Sequence, residues 1–169
     1  SIACAKMCEQ IEGTYASVDS KQYAEIAQRY GAQVIMRDWI EDSDDRRYLI
    51  HALGQWEAQP EYIALLRPTT PLRNPSLVDS LCRNPNTYRT YEWIHDLQMK
   101  RPDGYLDVFP SKQVIADDVL WLGYINWWII NPTVGEIDEE EDFDYIEWRL
   151  QKYGSPIHDY LKANYPNPE

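Results

Sequence analysis

The chain has 169 residues, of which 44% are apolar, and its seven Trp and thirteen Tyr supply enough large side chains for one compact domain with a real core. Its formal net charge of -12 excludes general nucleic-acid binding, because a phosphate backbone would be repelled over most of the surface. The three cysteines follow no disulfide or zinc spacing, and no apolar run is long enough to cross a bilayer. With no secretory signal, these features predict a cytoplasmic protein without a membrane partner.

The first half of the chain alternates between helical and strand patterns. Ser20 is placed to cap the second helix and Gly31 to end it. Residues 62–66 are apolar throughout, as in a strand that is buried on both faces of a parallel sheet. The alternation predicts an α/β fold with a mainly parallel sheet flanked by helices. The predicted helices are 1–10, 21–30, 46–57 and 76–81, and the predicted strands are 14–18, 33–36 and 62–66.

The second half follows a less regular pattern. From residue 84 to residue 110 the alternation breaks into Tyr- and Trp-rich segments interrupted by Pro102, Gly104 and Pro110. Residues 121–130 predict another buried strand, and 139–152 predict a helix whose acidic start suits the helix dipole. Residues 155–169 are interpreted as a C-terminal tail that packs back on the body, so that 1–169 forms a single domain.

The stretch LLRPTTPLR at 65–73 is the most informative one for function, because ligands of open α/β sheets bind beyond the carboxyl ends of the strands. Two prolines stiffen this loop, Thr69 and Thr70 offer hydroxyls, and Arg67 and Arg73 offer guanidinium forks. Such forks suit the phosphates of a nucleotide or the carboxylate of an acidic sugar. Taken alone, the turn is equally compatible with a purely structural role.

Four segments in the same order resemble the acylneuraminate cytidylyltransferases, the enzymes that make CMP-sialic acid and related CMP-activated sugars. The stretch at 65–73 resembles the family signature LLQPTSPLR. The segments ASVDS, YAEIA and YGAQV between 16 and 34 are similar to VSTDS…AEIAKKYGAEV. Arg37, DS at 42–43 and IHAL at 50–53 are similar to RP…DTSS…ILHAL, and EIDEEEDF at 136–143 resembles DIDTEEDF.

The resemblance implies a Rossmann-like nucleotidyltransferase fold and transfer of CMP from CTP to a sialic-acid-like acidic sugar, with release of pyrophosphate. It also implies a magnesium (or manganese) cofactor and a homodimer, with about 84–130 as a possible dimerisation or sugar-side insertion. Carboxylates at 136 and 138 share one side of an extended segment and could bind one ion; the alternative is a solvated acidic helix start. The implied site residues are Arg37 and Ser43 for the nucleotide, Arg67, Thr69, Thr70 and Arg73 for the substrate, and Glu136 and Asp138 for the metal.

The sequence departs from the family pattern in three ways. The family opens with a strand and a glycine-rich basic loop that holds the triphosphate, and no segment of this sequence matches that loop. Arg67 replaces a family glutamine, and Glu136 replaces the first metal-binding aspartate. These departures motivate a second hypothesis, in which the chain is a non-catalytic relative that serves as a binding or assembly module. A third hypothesis, a nucleotidyltransferase for a different sugar or nucleotide such as a deoxyoctulosonate or a guanylyl relative, is disfavoured by the Pro-Thr-Thr-Pro turn.

Overall fold

The computed structural model of the chain describes residues 1–38, 45–85, 88–94, 97–116, 126–129 and 135–166. In these ranges helices and strands alternate as expected for an α/β protein. The helices are α1 (Ile2–Lys6), α2 (Lys21–Arg29), α3 (Asp45–Leu53), α4 (Pro75–Cys82), α5 (Ser111–Ala116), α6 (Glu141–Tyr153) and α7 (Pro156–Asn164). The strands are β1 (Tyr15–Val18), β2 (Gln33–Met36), β3 (Tyr62–Leu65), β4 (Tyr88–Ile94), β5 (Met99–Pro110) and β6 (Asn126–Ile129).

Within these ranges the strands form two sheets. Strands β1 and β2 pair in parallel, connected by α2, which makes a βαβ unit. The second sheet has the order β3-β5-β4-β6, in which β5 is antiparallel to both of its neighbours and β4 is parallel to β6. The parallel pairing predicted for the first half therefore holds between β1 and β2, whereas the partner of β3 is the antiparallel β5.

Strand β3 has a hydrophobic cluster on each face, as its apolar sequence predicts. Tyr62, Ala64 and Leu66 pack on one cluster, built from α1, α4, α7 and the buried part of β5. Ile63 and Leu65 point the other way, toward α3 and α5, because successive side chains of a strand alternate. The sheet is thus the middle layer of three, and the carboxyl end of β3 emerges between two layers of helices.

The ends of the helices follow from local sequence. The Ser20 side chain accepts a hydrogen bond from Tyr23 N at 3.2 Å, which caps α2, and Gly31 follows that helix with φ +81°. Asn74 caps α4 by accepting from two backbone N–H groups, and Pro75 occupies the first turn. These caps confirm the predicted boundaries of α2 and place the start of α4 directly after Arg73.

Two parts of the second half differ from the sequence prediction. Residues 99–110, where the predicted alternation broke, form the twelve-residue strand β5 inside the sheet, with Tyr105, Leu106 and Phe109 almost fully buried. The C-terminal tail packs on the body as predicted, but it does so as the helix α7, which buries Ile157. No helix in the described ranges is long and apolar enough to span a membrane.

Candidate functional site

Arg37 lies just beyond β2 and is held on several sides. Its guanidinium lies 3.4 Å from the Asp19 carboxylate, which follows β1, and 4.1 Å from the centre of the Tyr48 ring on α3. Its side chain is only 14% exposed. A planar cation that is stacked on an aromatic ring and anchored by a carboxylate keeps a fixed orientation. Arg37 therefore lies at the sheet end as predicted, while Ser43, its predicted companion, lies outside the described residues.

Arg67 follows β3 and makes ion pairs with two carboxylates through different nitrogens. Its Nη1 donates to Asp107 Oδ2 at 2.6 Å, and its Nη2 donates to the carboxylate of Asp45, the first residue of α3. Asp107 is almost fully buried on β5 and also lies 3.6 Å from Arg89. Burial would lower the pKa of the Arg67 guanidinium, but the charges of Asp107 and Asp45 raise it above its ordinary value. Arg67 is therefore a permanently charged group at the carboxyl end of β3.

The first turn of α3 contacts both of the arginines for which the resemblance implies a binding role. Asp45 contacts Arg67, and Tyr48, three residues further along, contacts Arg37. Residues three apart lie on the same face of a helix, with Cβ atoms about 5–6 Å from each other. Arg37, which the family resemblance implies for the nucleotide, and Arg67, which it implies for the substrate, are thus linked by a single turn of α3.

Arg73 is buried, with 2% of its surface exposed, and it shapes the loop from within. All five N–H groups of a guanidinium have partners here, because one hydroxyl and four backbone carbonyls surround it. The acceptors are Ser1 Oγ and the carbonyl oxygens of Arg67, Thr70, Gly104 and Tyr105. Burial lowers the pKa of Arg73 to about 10, so it stays charged at neutral pH. These contacts fix the course of the 67–73 loop against β5.

The two threonines of the predicted turn have different surroundings. Thr70 is 1% exposed, and its hydroxyl donates to the Asp103 carbonyl oxygen at 3.2 Å. Thr69 is half-buried, and its carbonyl accepts from Ile137 N at 2.8 Å. This last bond joins the acidic segment at 136–143 to the loop after β3, although the two are far apart in the sequence.

Glu136 lies next to Arg67 and Thr70, and Gly104 lies beneath all three. A Cβ built on Gly104 would lie 3.3 Å from Glu136 Oε1, 3.4 Å from Thr70 Oγ1 and 3.5 Å from Arg67 Cδ. Gly104 also has φ +65°, a conformation that residues with a side chain rarely adopt. A glycine is thus needed where the three segments of the site meet.

Replacing Gly104 with alanine should lower the free energy of unfolding by about 1–2 kcal/mol, because a left-handed backbone is costly for any residue with a Cβ. The added methyl group would also press on the site side chains. Urea denaturation measures the change. Gly54→Ala is the control, because its φ lies outside the left-handed region and its Cβ would meet only ordinary contacts at 3.5 Å. Equal stability of the two variants would contradict the role of Gly104.

The second predicted metal residue, Asp138, is exposed, two positions beyond Glu136. Its backbone N–H and that of Glu139 each donate to Asp142 Oδ2 at 2.8 Å. These hydrogen bonds lower the pKa of Asp142 and hold the segment just before α6 in a defined turn. Within the described ranges, no three His, Cys, Asp or Glu side chains converge as a metal site made by protein alone. Mg²⁺ commonly takes only one or two carboxylates and completes its shell with water and phosphate, so the donor chemistry of this pair suits it.

The family resemblance implied roles for Arg37, Arg67, Glu136 and Asp138, and the sequence did not indicate the residues that fix their positions. No role was predicted for Asp45 from the sequence. Asp107 and Gly104 belong to β5, which was not predicted as a strand. One signal for Asp107 was present: a single carboxylate between Leu106 and Val108 in an apolar run requires a charged partner.

No protein-family model and no curated protein sequence matches the chain. Solved structures do match it. The CMP:2-keto-3-deoxy-manno-octonic acid synthetase complexed with CTP is similar over 88% of this chain and 85% of its own, with a TM-score of 0.68 and 10% identity. The 4-diphosphocytidyl-2C-methyl-D-erythritol synthase of Anaerococcus prevotii covers 90% of this chain and 86% of its own, with a TM-score of 0.60 and 11% identity. The chain therefore has the α/β nucleotidyltransferase fold that these two cytidylyltransferases share.

Proposed function

We propose that the chain is a cytidylyltransferase that transfers CMP from CTP to a sialic-acid-like acidic sugar and releases pyrophosphate. The observation that carries this proposal is that Arg37 and Arg67 contact Tyr48 and Asp45 in the same turn of α3, with Glu136 near Arg67. The site lies at the carboxyl ends of strands, where nucleotides bind in open α/β folds. Two guanidinium groups that contact the same helical turn fit a reaction whose two substrates are both anions.

Each arginine has a distinct role in this proposal. The Arg37 guanidinium is held between Asp19 and Tyr48, and it would orient the nucleotide. Arg67 would bind the sugar carboxylate, because a guanidinium and a carboxylate form charge-assisted hydrogen bonds. Phosphoryl transfer depends chiefly on such positioning and on the neutralisation of charge. Arg73 and Thr70, both buried, would act by keeping the loop in place.

A divalent metal would be held by Glu136 and Asp138 in this proposal. When bound, Mg²⁺ or Mn²⁺ supplies positive charge that neutralises the phosphates of the nucleotide. The chain's own contribution is the turn that fixes these residues: Ile137 N is bonded to Thr69 O, and Asp138 N is bonded to Asp142. Residues 136–138 are thereby connected to the loop at 67–73 on one side and to α6 on the other.

A non-catalytic binding or assembly module is the second candidate. The observation that favours it is the occupation of Arg67 by two carboxylates of the chain itself, one of them the buried Asp107. A relative that no longer binds the substrate could keep these ion pairs because they stabilise the fold. In that case, the fold would persist without nucleotide affinity.

Calorimetric titration with CTP, with and without Mg²⁺ and with ATP as a control, tests the proposal. We expect metal-dependent binding that is selective for CTP. Arg37→Gln should weaken this binding by about tenfold, because it removes a charge-assisted contact. Arg29→Gln removes an exposed arginine at the end of α2 and should leave the affinity unchanged. A well-folded chain that binds neither nucleotide would contradict the proposal and support the non-catalytic module.

A further inference from the structure

The two ion pairs of Arg67 differ in their surroundings. The Asp107 side chain is 2% exposed and lies on a central strand, so it cannot leave the guanidinium without a buried charge losing the closer of its two arginine partners. The Asp45 side chain is 34% exposed and belongs to the first residue of α3. Asp107 therefore stays bound to Arg67 Nη1, whereas the Asp45 carboxylate on Arg67 Nη2 can be replaced by the carboxylate of a ligand.

Helix α3 does not depend on Asp45 for its position. The next residue, Arg46, donates from Nε to the Val114 carbonyl at 3.1 Å and from Nη2 to the Ile115 carbonyl at 3.4 Å, both near the end of α5. Leu49 and Leu53 are buried in the cluster beneath the helix. The side chain of Asp45 can therefore rotate away from Arg67 while the helix stays in place.

We propose that Asp45 is an internal competitor for the anion site, whose carboxylate occupies the same edge of the Arg67 guanidinium that the carboxylate of the acidic sugar takes. The inference rests on the proposed function, since it identifies the ligand of Arg67 as a sugar acid. The two carboxylates are chemically alike and compete for the same N–H donors. A ligand must therefore carry a carboxylate of its own to displace Asp45 from Arg67. Neutral sugars cannot do so and are rejected.

The test is calorimetric titration of wild-type protein and Asp45→Asn with N-acetylneuraminate and with its neutral methyl ester, with and without saturating CTP. The asparagine keeps the shape of the side chain and removes its charge. We expect Asp45→Asn to bind the acid about two- to fivefold more tightly than wild type, as the loss of one partly exposed ion pair would give. The affinity for the methyl ester should not rise.

Asp38→Asn is the matched control. Asp38 is exposed at the same end of the sheet, directly after Arg37, and its removal lowers the negative charge without touching Arg67. If the gain came from the general electrostatic field, both variants would show it. Asp45→Ser, which also suits a helix start, replaces Asp45→Asn if the latter does not fold.

The outcomes separate this inference from the proposed function. A gain for the acid alone in the Asp45 variant supports the competitor role, even if the protein never transfers CMP. An unchanged or weaker affinity in that variant, no binding of the acid in either state, or an equal gain in Asp38→Asn overturns it. Wild-type CMP transfer, if observed, would stand in each of those cases.

Discussion

Replacing Arg73 with methionine should lower the free energy of unfolding by about 3–5 kcal/mol, because buried backbone carbonyls that are left without a donor cost about 1–3 kcal/mol each. Methionine has a similar length and no donors, so four backbone carbonyls would each lose the hydrogen bond that Arg73 donates. Lysine has three donors instead of five, so Arg73→Lys should give an intermediate loss. Urea denaturation measures both losses as a lower midpoint.

The control for this prediction is Arg83→Met. Arg83 is 63% exposed, and its ion pair with Asp79 spans 3.6 Å on the surface of α4. Exposed pairs contribute about 0–1 kcal/mol, so the control should stay close to wild type. If Arg73→Met were as stable as Arg83→Met, the internal role assigned to Arg73 would be wrong.

Changing Glu136 or Asp138 to alanine should lower CMP transfer by more than about a hundredfold and leave the fold intact. The loss of a residue that only orients a metal ligand lowers metal affinity or activity by about ten- to a hundredfold. The loss of a ligand itself should lower activity further. Both residues lie at or near the surface, before α6, so their loss leaves the core unchanged. A steady-state assay of pyrophosphate release, with circular dichroism for the fold, measures the effect.

Glu140→Gln is the control for the metal prediction, because it removes one exposed carboxylate from the same acidic run without changing either proposed ligand. Its turnover should match that of wild type. Raising the Mg²⁺ concentration should partly restore the two alanine variants if they act through metal affinity. Unchanged turnover in both alanine variants would contradict the metal assignment and leave the segment as an acidic helix start.

The first half of the fold could be predicted because its signals are local. The predicted strand 33–36 coincides with β2, and the Ser20 cap and Gly31 give the predicted limits of α2 to within one residue. Each of these elements is specified by residues within a few positions of one another. The apolar run of β3 likewise predicted a strand with a hydrophobic cluster on each face.

Strand β5 could not be predicted, because its polar residues are explained only by distant partners. Asp103 accepts from its neighbour Tyr105 N and from the side chain of Thr90 on β4, and Asp107 pairs with Arg67 beyond β3. When the partner strands are not known, two aspartates, two prolines and a glycine indicate a loop. The pairing of Asp45 with Arg67 was hidden for the same reason, since 22 positions of sequence separate them.

The five hydrogen bonds of Arg73 also have a consequence for the order of folding. They join the loop after β3 to residues 31 and 32 positions ahead and to a residue 72 positions behind. Closing such long loops costs chain entropy before any contact repays it, whereas the β1–α2–β2 unit needs only nearby residues. The 67–73 loop should therefore acquire its shape only after β5 has docked beside β3. The site would then be one of the last parts of the molecule to form.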